Sequence, residues 1–578
     1  MAIFTFDSSH LFGTVRAVDT RRIDVQVNSD EDLRKARVGQ LAAIALPGAI
    51  EEWLIGVIDR VVKTPILEEP SLLDAEGDEE MADLYQRERV LNTVRIVLVG
   101  TVGITPSNEP LFSRSLVQVP EIDGACHILR DAQLQTFMAL LAAEGTAEHS
   151  LEIGRYTIDE NAVAYLDGNK LFQRHAALLG STGSGKSWSV AAILEQAAKL
   201  PSSNMIVFDL HGEYSKLSYA RQLRIPGPEE LGQSNDTLLF LPYWLLNAEE
   251  LQAMFIDRSE FNAHNQVTVF QDTVVSKKRE RLSELGKEEV LAAFTLDSPI
   301  PFSIDDIIAE IRHKNEEMVP GAKGGTKQGL FHGKFSRLLV RLDSRVSDKR
   351  YGFLFQAPSA EHEYDAMAAK MKRLMDYSEE KGQITVIDFS EVPADILPVI
   401  VGLVARIIYQ VQFWTDREKR KPLALVCDEA HMYLPSKDGK NPVEQRAIEN
   451  FEKIAKEGRK YGVALLVVSQ RPADVSPTIL SQCNNILSLR LTNGDDQTTV
   501  KRLMPESLEG LMDTLPILDI GEALVVGDAV LLPSRIRFNP PKESPLSATI
   551  DFWDEWAKEA DTPDFVKAVE NMRRQNRS

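Results

Sequence analysis

The chain has 578 residues, of which 43% are hydrophobic and 26% are charged, and its formal net charge is −21. This composition is ordinary for a globular protein of about two to four domains. The acidic balance excludes a protein that coats nucleic acid with its whole surface, because phosphate binding requires concentrated Lys and Arg, but it allows DNA in a narrow channel.

Neither a membrane span nor a secretion signal is expected from the sequence. No uninterrupted apolar run reaches the roughly 18 residues of a membrane helix, and the N-terminus lacks a basic stretch followed by an apolar core. The cysteines Cys126, Cys427 and Cys483 are far apart and lack metal-site spacing. This usage indicates a reducing cytoplasm, and the missing apolar run indicates no contact with a membrane.

The first 140 residues are predicted to form a small β-barrel domain. Short runs alternate apolar and β-branched residues with polar ones, at Gly13–Val18, Ile23–Val27, Leu41–Leu46, Trp53–Val62 and Asn92–Val102. Short strands at this spacing are typical of a barrel. Residues 66–90 carry nine acids against two arginines, which favours a solvated linker or loop.

From about residue 170, strands alternate with helices, which predicts an α/β fold with a largely parallel sheet. We predict an ATPase core in two parts, 141–242 and 381–540, interrupted by a helical insertion at 243–380 and followed by a C-terminal extension at 541–578. The expected core strands are Ala176–Leu179, Met205–Phe208, Ile384–Phe389, Leu423–Cys427 and Val463–Val468.

A complete phosphate-loop pattern lies between a predicted strand and a predicted helix. Its glycines let successive backbone N–H groups point at phosphates, and the helix N-terminus adds its positive dipole end. Lys186 is expected to reach the β- and γ-phosphates of ATP, and Ser187 to offer its hydroxyl to Mg²⁺. The nucleotide-binding residues are Gly180, Ser181, Thr182, Gly183, Ser184, Gly185, Lys186 and Ser187.

Two adjacent acids follow the apolar run Leu423–Cys427. Strand ends of this kind are where ligands of open α/β sheets bind. We expect Asp428 to hold Mg²⁺ through its water shell and Glu429 to orient and polarise the attacking water. The competing interpretation is a strand that ends in solvated acids.

A third apolar run, Ala464–Ser469, ends in the amide Gln470. A polar residue at that strand end can contact the γ-phosphate and the attacking water. We therefore predict that Gln470 is a catalytic sensor, against the simpler interpretation of an ordinary strand cap.

Five motifs follow one another along the chain: Gly180–Ser187, Asp209–Tyr214, Asp428–His431, Glu457–Gly462 and Ser469–Pro472. As an ordered set, they resemble the HerA family of hexameric DNA translocases, within the wider HerA/FtsK group. The resemblance implies a RecA-like P-loop ATPase core behind an N-terminal HAS-barrel-like domain, a homohexameric ring and double-stranded DNA in a central pore. It also implies a partner docked on the barrel side, which in related systems is a NurA-type nuclease or a sirtuin-like or other anti-phage effector. The acidic segment at 66–90 departs from the simplest family pattern and leaves the partner open.

A ring motor also needs a cation that reaches the developing phosphate charge across a subunit boundary. Arg459 and Arg490 are the candidates, and Lys460 can assist. Arg459 can equally pair with a helix C-terminal dipole, and Arg490 can equally be a strand residue that faces solvent.

DNA contacts are predicted at Lys437 and Lys440, in a loop just beyond the acid pair, although an ordinary exposed loop explains these charges as well. A second basic stripe, Lys334, Arg337, Arg341 and Arg345, fits a solvated helix face better. Contacts of either kind would bind the DNA backbone without sequence preference.

The sequence therefore predicts an ATP-dependent DNA translocase or helicase that requires ATP and Mg²⁺. One alternative is a regulatory ATPase scaffold that activates an effector without processive translocation. Another is a conjugation-type or secretion ATPase, against which the missing membrane anchor counts.

Overall fold

The fold is known from a computed structural model, in which the chain divides into two units. The first unit comprises Met1–Gln196, Gln470–Ala473 and Cys483–Pro541, and the second comprises Ala197–Ser469, Asp474–Gln482 and Lys542–Ser578. The residues that the structure describes are 3–6, 10–46, 52–67, 88–105, 109–116, 118–145, 150–233, 235–321, 325–375, 384–436, 442–505, 508–547, 551–558 and 564–574.

The strands of these residues are numbered in chain order. They are β1 (Leu11–Asp19), β2 (Arg22–Val27), β3 (Leu41–Ala45), β4 (Trp53–Leu67), β5 (Glu88–Ile104), β6 (Pro110–Ser113), β7 (Ala125–Ile128), β8 (Ser150–Tyr156), β9 (Asp159–Asp167), β10 (Ala176–Leu179), β11 (Met205–Asp209), β12 (Ala220–Arg224), β13 (Met318–Pro320), β14 (Thr326–Gln328), β15 (Ile384–Asp388), β16 (Leu423–Cys427), β17 (Val463–Ser469), β18 (Asn485–Leu489), β19 (Glu522–Val526) and β20 (Ser534–Phe538).

The α-helices are numbered in the same way. They are α1 (Asp30–Lys35), α2 (Asp131–Gly145), α3 (Gly168–Gln173), α4 (Lys186–Ala197), α5 (Ala248–Phe255), α6 (Ala263–Glu284), α7 (Glu288–Ala293), α8 (Ile304–Glu316), α9 (Ser336–Ser347), α10 (Gly352–Phe355), α11 (Ala366–Met375), α12 (Leu397–Trp414), α13 (Pro442–Glu457), α14 (Pro477–Gln482), α15 (Gly494–Leu503), α16 (Glu509–Met512), α17 (Phe552–Trp556) and α18 (Phe565–Arg574).

A closed barrel occupies the N-terminal part of the first unit. Its strands pair in the order β2-β1-β7-β3-β4-β5, and β5 pairs back with β2 to close the ring. Alternate side chains point inward, as Ile23, Val25 and Val27 do from β2, and they join one buried apolar core. The predicted small barrel is confirmed.

The long β4–β5 hairpin belongs to this barrel. Its pairing runs from Trp53 opposite Val102 to Leu67 opposite Glu88. Most of the acidic segment predicted at 66–90 falls on residues 68–87, which lie outside the described residues. The prediction of a solvated linker or loop there stays a prediction.

The first unit also contains the strands that follow one another as β10-β18-β19-β20-β8-β9. Only β10 and β18 in this series are parallel, and the remaining neighbours are antiparallel. The phosphate-loop strand β10 is completely buried. Its parallel neighbour β18 is buried along its whole length as well.

The second unit contains a parallel sheet in the order β12-β15-β11-β16-β17. Every residue of β11, β16 and β17 is buried. Strands covered on both faces are continuous apolar runs rather than alternating ones, which is why these three were recognisable in the sequence. The predicted α/β class is confirmed.

Helices α5 to α11 and the small hairpin β13–β14 fill the stretch predicted as a helical insertion. Helix α12 follows β15. It begins at Leu397, with Pro398 in the first turn, where a missing N–H costs no hydrogen bond.

Helix α12 is a core helix of the second unit. Among the described residues it is the one helix that is long and apolar enough to cross a membrane, but 78% of it is buried within the protein. A Cβ on Gly402 would lie 3.0 Å from the Cα of Ala447 in α13, so glycine permits close packing of the two helices. The buried Arg406 of α12 pairs with Glu250 of α5.

The three thiols are predicted to be unreactive in the folded protein. Cys126, Cys427 and Cys483 all lie among the described residues, where they are buried and in the thiol form rather than in disulfides, and burial raises the pKa of the Cys126 and Cys483 thiols to about 12. Because the thiolate is the reactive form, we expect no reaction with an aromatic disulfide reagent under native conditions. All three should react after denaturation. Rapid labelling of the native protein, followed by absorbance, would contradict this expectation.

Candidate functional site

The phosphate loop begins where β10 ends and leads into the first turn of α4. Gly183 and Gly185 have φ values of +72° and +100°, in the left-handed region that glycine adopts without strain. A Cβ on Gly180 would lie 2.6 Å from Ser184 Oγ. The loop therefore requires its glycines, and it presents backbone N–H groups at a helix N-terminus, where anions bind.

Three polar side chains meet at this loop. Lys186 is buried, and its Nζ donates to the carbonyl oxygen of Ser181 at 3.3 Å. The Thr182 hydroxyl donates to Oε1 of Gln470. The structure thus brings Gln470 to the phosphate loop, as the sensor hypothesis requires, and the sensor role itself stays a prediction.

Two polar groups of the loop remain available to a ligand. Ser184 Oγ is buried and has no hydrogen-bond partner within the described residues. Ser187, the predicted Mg²⁺ ligand, is partly exposed in the first turn of α4.

Arg490 lies directly after β18 and is partly exposed. Its carbonyl oxygen accepts a 2.8 Å hydrogen bond from the N–H of Ser181. The N–H of Thr492 donates to Ser181 Oγ at 3.2 Å. Arg490 is therefore tied to the phosphate loop of its own chain, which favours a role in cis over the trans role that the sequence left open.

The acid pair lies in the second unit, at the end of β16. Asp428 is 5% exposed. Burial, together with the negative charges of Glu429 and Glu213, raises the pKa of the Asp428 carboxyl to about 8. A cation beside this carboxyl would favour the ionised form again. The crowded carboxylates therefore fit the Mg²⁺ that the motif implies.

No preformed cage of three or more metal-ligating side chains exists among the described residues. Mg²⁺ at nucleotide sites does not need one, since it keeps several waters and binds one or two carboxylates together with the phosphates. The buried carboxyl of Asp428 is of this kind, and Ser187 stays a predicted ligand.

Glu429 has an unusual backbone conformation, with φ 45° and ψ 44°. Left-handed backbone at a residue other than glycine is strained, and such strain is concentrated at functional sites. The Glu429 N–H donates to Asp428 Oδ1 at 3.0 Å. A strained turn therefore lies at the acid pair itself.

His431 is a neighbour of Glu429 that sequence reasoning did not single out. Its Nδ1 lies 3.2 Å from Glu429 Oε2 and 3.5 Å from Ser469 Oγ. Glu429 Oε2 is buried, and among the described residues it has no partner with hydrogen-bond geometry, so the His431 contact is electrostatic. In the sequence, the position of His431 two residues after Glu429 was the signal that could have indicated this contact.

The acids of the motif Asp209–Tyr214, which begins at the end of β11, are possible metal ligands by residue type. The buried carboxylate of Asp209 instead accepts the backbone N–H groups of His211, Glu213 and Tyr214, at 3.2, 3.1 and 2.9 Å. Asp209 therefore shapes the loop. Burial and then the nearby carboxylate of Asp428 hold the pKa of the Tyr214 hydroxyl well above its usual value, so Tyr214 stays protonated beside the acid pair.

Arg459 is exposed in a short 3-10 helix, Gly458–Tyr461, directly after α13. Lys460 beside it is exposed as well. This placement leaves both sequence interpretations of Arg459 open, the trans cation and the pairing with a helix C-terminal dipole.

The predicted DNA contacts Lys437 and Lys440 lie outside the described residues. Part of the second basic stripe is engaged within its own unit. Arg341 donates to the carbonyl oxygen of Phe255 at 2.7 Å, and Arg345 pairs with Asp395 at 2.9 Å. These pairings disfavour DNA contacts for Arg341 and Arg345.

Comparison with known proteins points to one family. The family described as "Helicase HerA, central domain" matches residues 151–408. A probable helicase of Methanocaldococcus jannaschii is 26% identical over 392 residues, which cover 67% of this chain and 66% of that protein. The DNA double-strand break repair helicase HerA of Pyrococcus furiosus is 27% identical over 428 residues, covering 68% of this chain and 70% of that protein.

Among solved structures, VirB4 of Thermoanaerobacter pseudethanolicus is similar at a TM-score of 0.46 and 17% sequence identity. The similarity covers 68% of this chain and 97% of VirB4.

A phosphate loop that joins a buried strand to a helix, in a chain whose acid pair ends a second buried strand, defines a P-loop ATPase. Within that class the motif order and the matched region agree. The chain is similar to the HerA helicase family over this region, as the resemblance predicted. This similarity confirms the prediction of an ATP-hydrolysing enzyme of the helicase type.

Proposed function

We propose that this chain is the motor subunit of a homohexameric ring that hydrolyses ATP to move double-stranded DNA through its central pore. One observation carries the proposal: a complete phosphate loop and an acid at a strained strand end, Glu429, occur together in a chain that is similar to the HerA helicase family. The names of the relatives, helicases of double-strand break repair, support DNA as the substrate.

The proposal extends to partners and location. A nuclease or a sirtuin-like or other effector would dock on the barrel side, for DNA processing or anti-phage defence, in the cytoplasm. The three buried, unbridged thiols support a reducing compartment. Mass measurement of the assembly purified from its native host tests the stoichiometry and the partner together, and a monomer without companions would contradict both.

Each residue of the site has a role in the proposed reaction. Lys186 and the loop N–H groups bind the triphosphate, and Ser187 and Asp428 hold Mg²⁺, the latter through water. When bound, Mg²⁺ neutralises charge on the β- and γ-phosphates. Glu429 orients the attacking water and polarises its O–H bond. Gln470, held by Thr182, senses the γ-phosphate.

We assign the trans cation to Arg459 and a cis contact to Arg490. Arg459 is exposed, as a group that reaches a neighbouring subunit must be, whereas Arg490 is held at its own phosphate loop. An Arg459→Ala ring that stays assembled should lose most of its ATPase activity. Full activity in that assembled ring would remove the trans role from this residue.

Hydrolysis should be stimulated by double-stranded DNA, and Lys437 and Lys440 should carry part of the stimulation. Lysines that neutralise backbone phosphates bind DNA without sequence preference, and salt weakens this binding strongly. We expect the double variant Lys437→Ala/Lys440→Ala to retain basal ATPase activity and to require more DNA for half-maximal stimulation. The measurement is the ATPase rate against DNA concentration at two salt concentrations.

Two controls accompany this experiment. Lys419→Ala removes an exposed lysine elsewhere in the second unit, whose side chain is 82% exposed, and should behave as the wild type does. A Lys186→Ala preparation reports contaminating ATPases. Hydrolysis that ignores DNA, yet is required for the activity of a co-purified effector, would favour the regulatory scaffold over the motor.

A further inference from the structure

Asp59 is a buried carboxylate in the barrel, outside the nucleotide site. In the β4–β5 ladder Ile58 pairs with Ile96 and Arg60 pairs with Arg95, so Asp59 is the extra residue of a β-bulge. Bulges re-aim a side chain out of its ladder position. Asp59 is 5% exposed, although its strand lies in a barrel whose core is apolar.

The bulge directs the Asp59 carboxylate to the short helix α16. Its Oδ1 accepts a 2.6 Å hydrogen bond from the N–H of Gly510, and the contact is buried. A Cβ on Gly510 would lie 2.0 Å from the carbonyl oxygen of Asp59, so the two backbones approach each other closely. A charge-assisted bond in a buried place fixes α16 to the barrel.

The other end of the same segment contacts the phosphate loop. The chain runs from Leu508 through α16 to Gly521, and the N–H of Gly521 donates to the carbonyl oxygen of Ser184 at 3.0 Å. Between the two ends, the carbonyl of Leu515 accepts from the N–H of Leu491, the residue after Arg490, at 3.2 Å. One segment thus contacts the barrel bulge, the end of β18 and the phosphate loop.

The hydrogen bond from Gly521 to the Ser184 carbonyl affects phosphate binding because it orients the peptide bond between Ser184 and Gly185. The carbonyl of Ser184 and the N–H of Gly185 share a planar trans peptide and point in opposite directions. The Gly521 N–H bonds the Ser184 carbonyl on the outer side of the loop. The Gly185 N–H, at the opposite side of the same peptide, therefore points toward the inside of the loop. The segment fixes the direction of an amide that would bind phosphate.

The segment is rigid enough to transmit a displacement. Five of its apolar side chains are at most 4% exposed, those of Leu508, Leu511, Met512, Leu515 and Leu518, whereas Ile517 and Ile520 are exposed. Close-packed side chains move together rather than deform. A shift of α16 on the barrel therefore shifts the Gly521 end as well.

We propose that Asp59 is a positioning residue for the phosphate loop and that it couples the barrel to nucleotide binding through Leu508–Gly521. The inference rests on the proposed nucleotide site and goes beyond it, because it assigns a part in ATP binding to the barrel. Coupling of this kind is reciprocal. A ligand on the barrel that moves the bulge changes the affinity for ATP, and bound ATP stabilises the bulge.

The first test is hydrogen exchange of the full-length wild-type assembly, with and without ATPγS and Mg²⁺. We expect the nucleotide to slow exchange in the phosphate-loop peptide and also in the β4 peptide around Asp59. Slowing in the loop alone would overturn the coupling and leave the nucleotide site intact. No slowing in either peptide would overturn both.

The second test uses ATPase kinetics of barrel variants. Asp59→Ala should raise KM for ATP about tenfold, the effect of one charge-assisted hydrogen bond. Its kcat should stay within about twofold, because a misdirected loop amide weakens ground-state and transition-state binding alike. Asp59→Asn keeps the Oδ1 acceptor and should restore KM to within about twofold of the wild type.

The matched control is Asp30→Ala, which removes a carboxylate that bonds Lys63 and Asn92 of the same hairpin but does not contact α16. It should leave KM unchanged. Equal KM values for Asp59→Ala and the wild type, with equal thermal melting, would overturn the proposal. If Asp59→Ala does not fold, the hydrogen-exchange experiment on the wild-type assembly decides the matter.

Discussion

Replacement of Glu429 by glutamine is expected to lower kcat for ATP hydrolysis at least about 100-fold, the usual contribution of a positioned general base. Glutamine keeps the size of the side chain but cannot accept a proton from water. ATP binding should persist, because the phosphate loop that grips the triphosphate is unchanged. Lys186→Ala should differ by losing the binding itself, since Lys186 is the cation of that loop. Single-turnover hydrolysis and equilibrium binding of labelled ATP separate the two effects.

The same Glu429→Gln variant should be no less stable than the wild type and should melt at an equal or higher temperature. The carboxylates of Asp428, Glu429 and Glu213 repel one another, and glutamine removes one of the charges. Glu418→Gln, at an exposed position of the same unit, controls for the general effect of neutralising one acid. An active Glu429→Gln enzyme would show that another group polarises the water.

The second large effect is on stability and concerns the buried pair of α12 and α5. The Arg406 guanidinium donates to both carboxylate oxygens of Glu250, at 2.9 and 2.7 Å, and to the carbonyl oxygen of Leu245 at 2.8 Å. The two side chains are 10% and 4% exposed. Arg406→Met would leave the carboxylate of Glu250 buried without its cation. The free energy of unfolding of the second unit should fall by about 3–5 kcal/mol.

Denaturant unfolding, followed by fluorescence and circular dichroism, measures this loss. The double variant Arg406→Met/Glu250→Met should recover most of it, because both charges are then absent and the volume is filled with apolar atoms. Losses that simply add in the double variant would show that the pair contributes through the packing of the two side chains. Arg312→Met is the matched exposed control. Its partner Asp343 is solvated and the pair should be worth less than about 1 kcal/mol.

The nucleotide-binding elements were predictable because their determinants are local. Buried parallel strands are continuous apolar runs, so β10, β11, β16 and β17 were recognisable, and the loop after β10 requires glycines at positions that can be counted along the chain. The barrel strands were recognisable by alternation. The roles of Gln470 and Arg459, by contrast, stay predictions. A residue at the end of a strand or of a helix has the same local sequence pattern whether it faces a nucleotide, a neighbouring subunit or solvent.

Several assignments could not come from local pattern. Periodicity placed Arg341 and Arg345 on one helix face, but only the fold shows that Phe255 and Asp395 occupy that face. The acid Asp209 looked like a ligand and is a cap for its own loop. The link from Asp59 to Gly510 joins residues 451 positions apart, and no preference of either residue encodes it.

The amino-acid sequence by itself determined the chemistry available to this protein: a phosphate-binding loop, an adjacent acid pair and the HerA motif order. Backbone conformation at glycines and the apolar period of strands depend on near neighbours, which a sequence displays directly. The tertiary structure alone decided which polar groups meet, that Glu429 is strained, that the backbone carbonyl of Arg490 bonds the phosphate loop and that a barrel bulge bonds the segment leading to that loop. Those outcomes depend on packing between segments that are distant in the sequence. Because burying an unpaired charge costs free energy, a buried charged side chain is found where the fold supplies it with a partner.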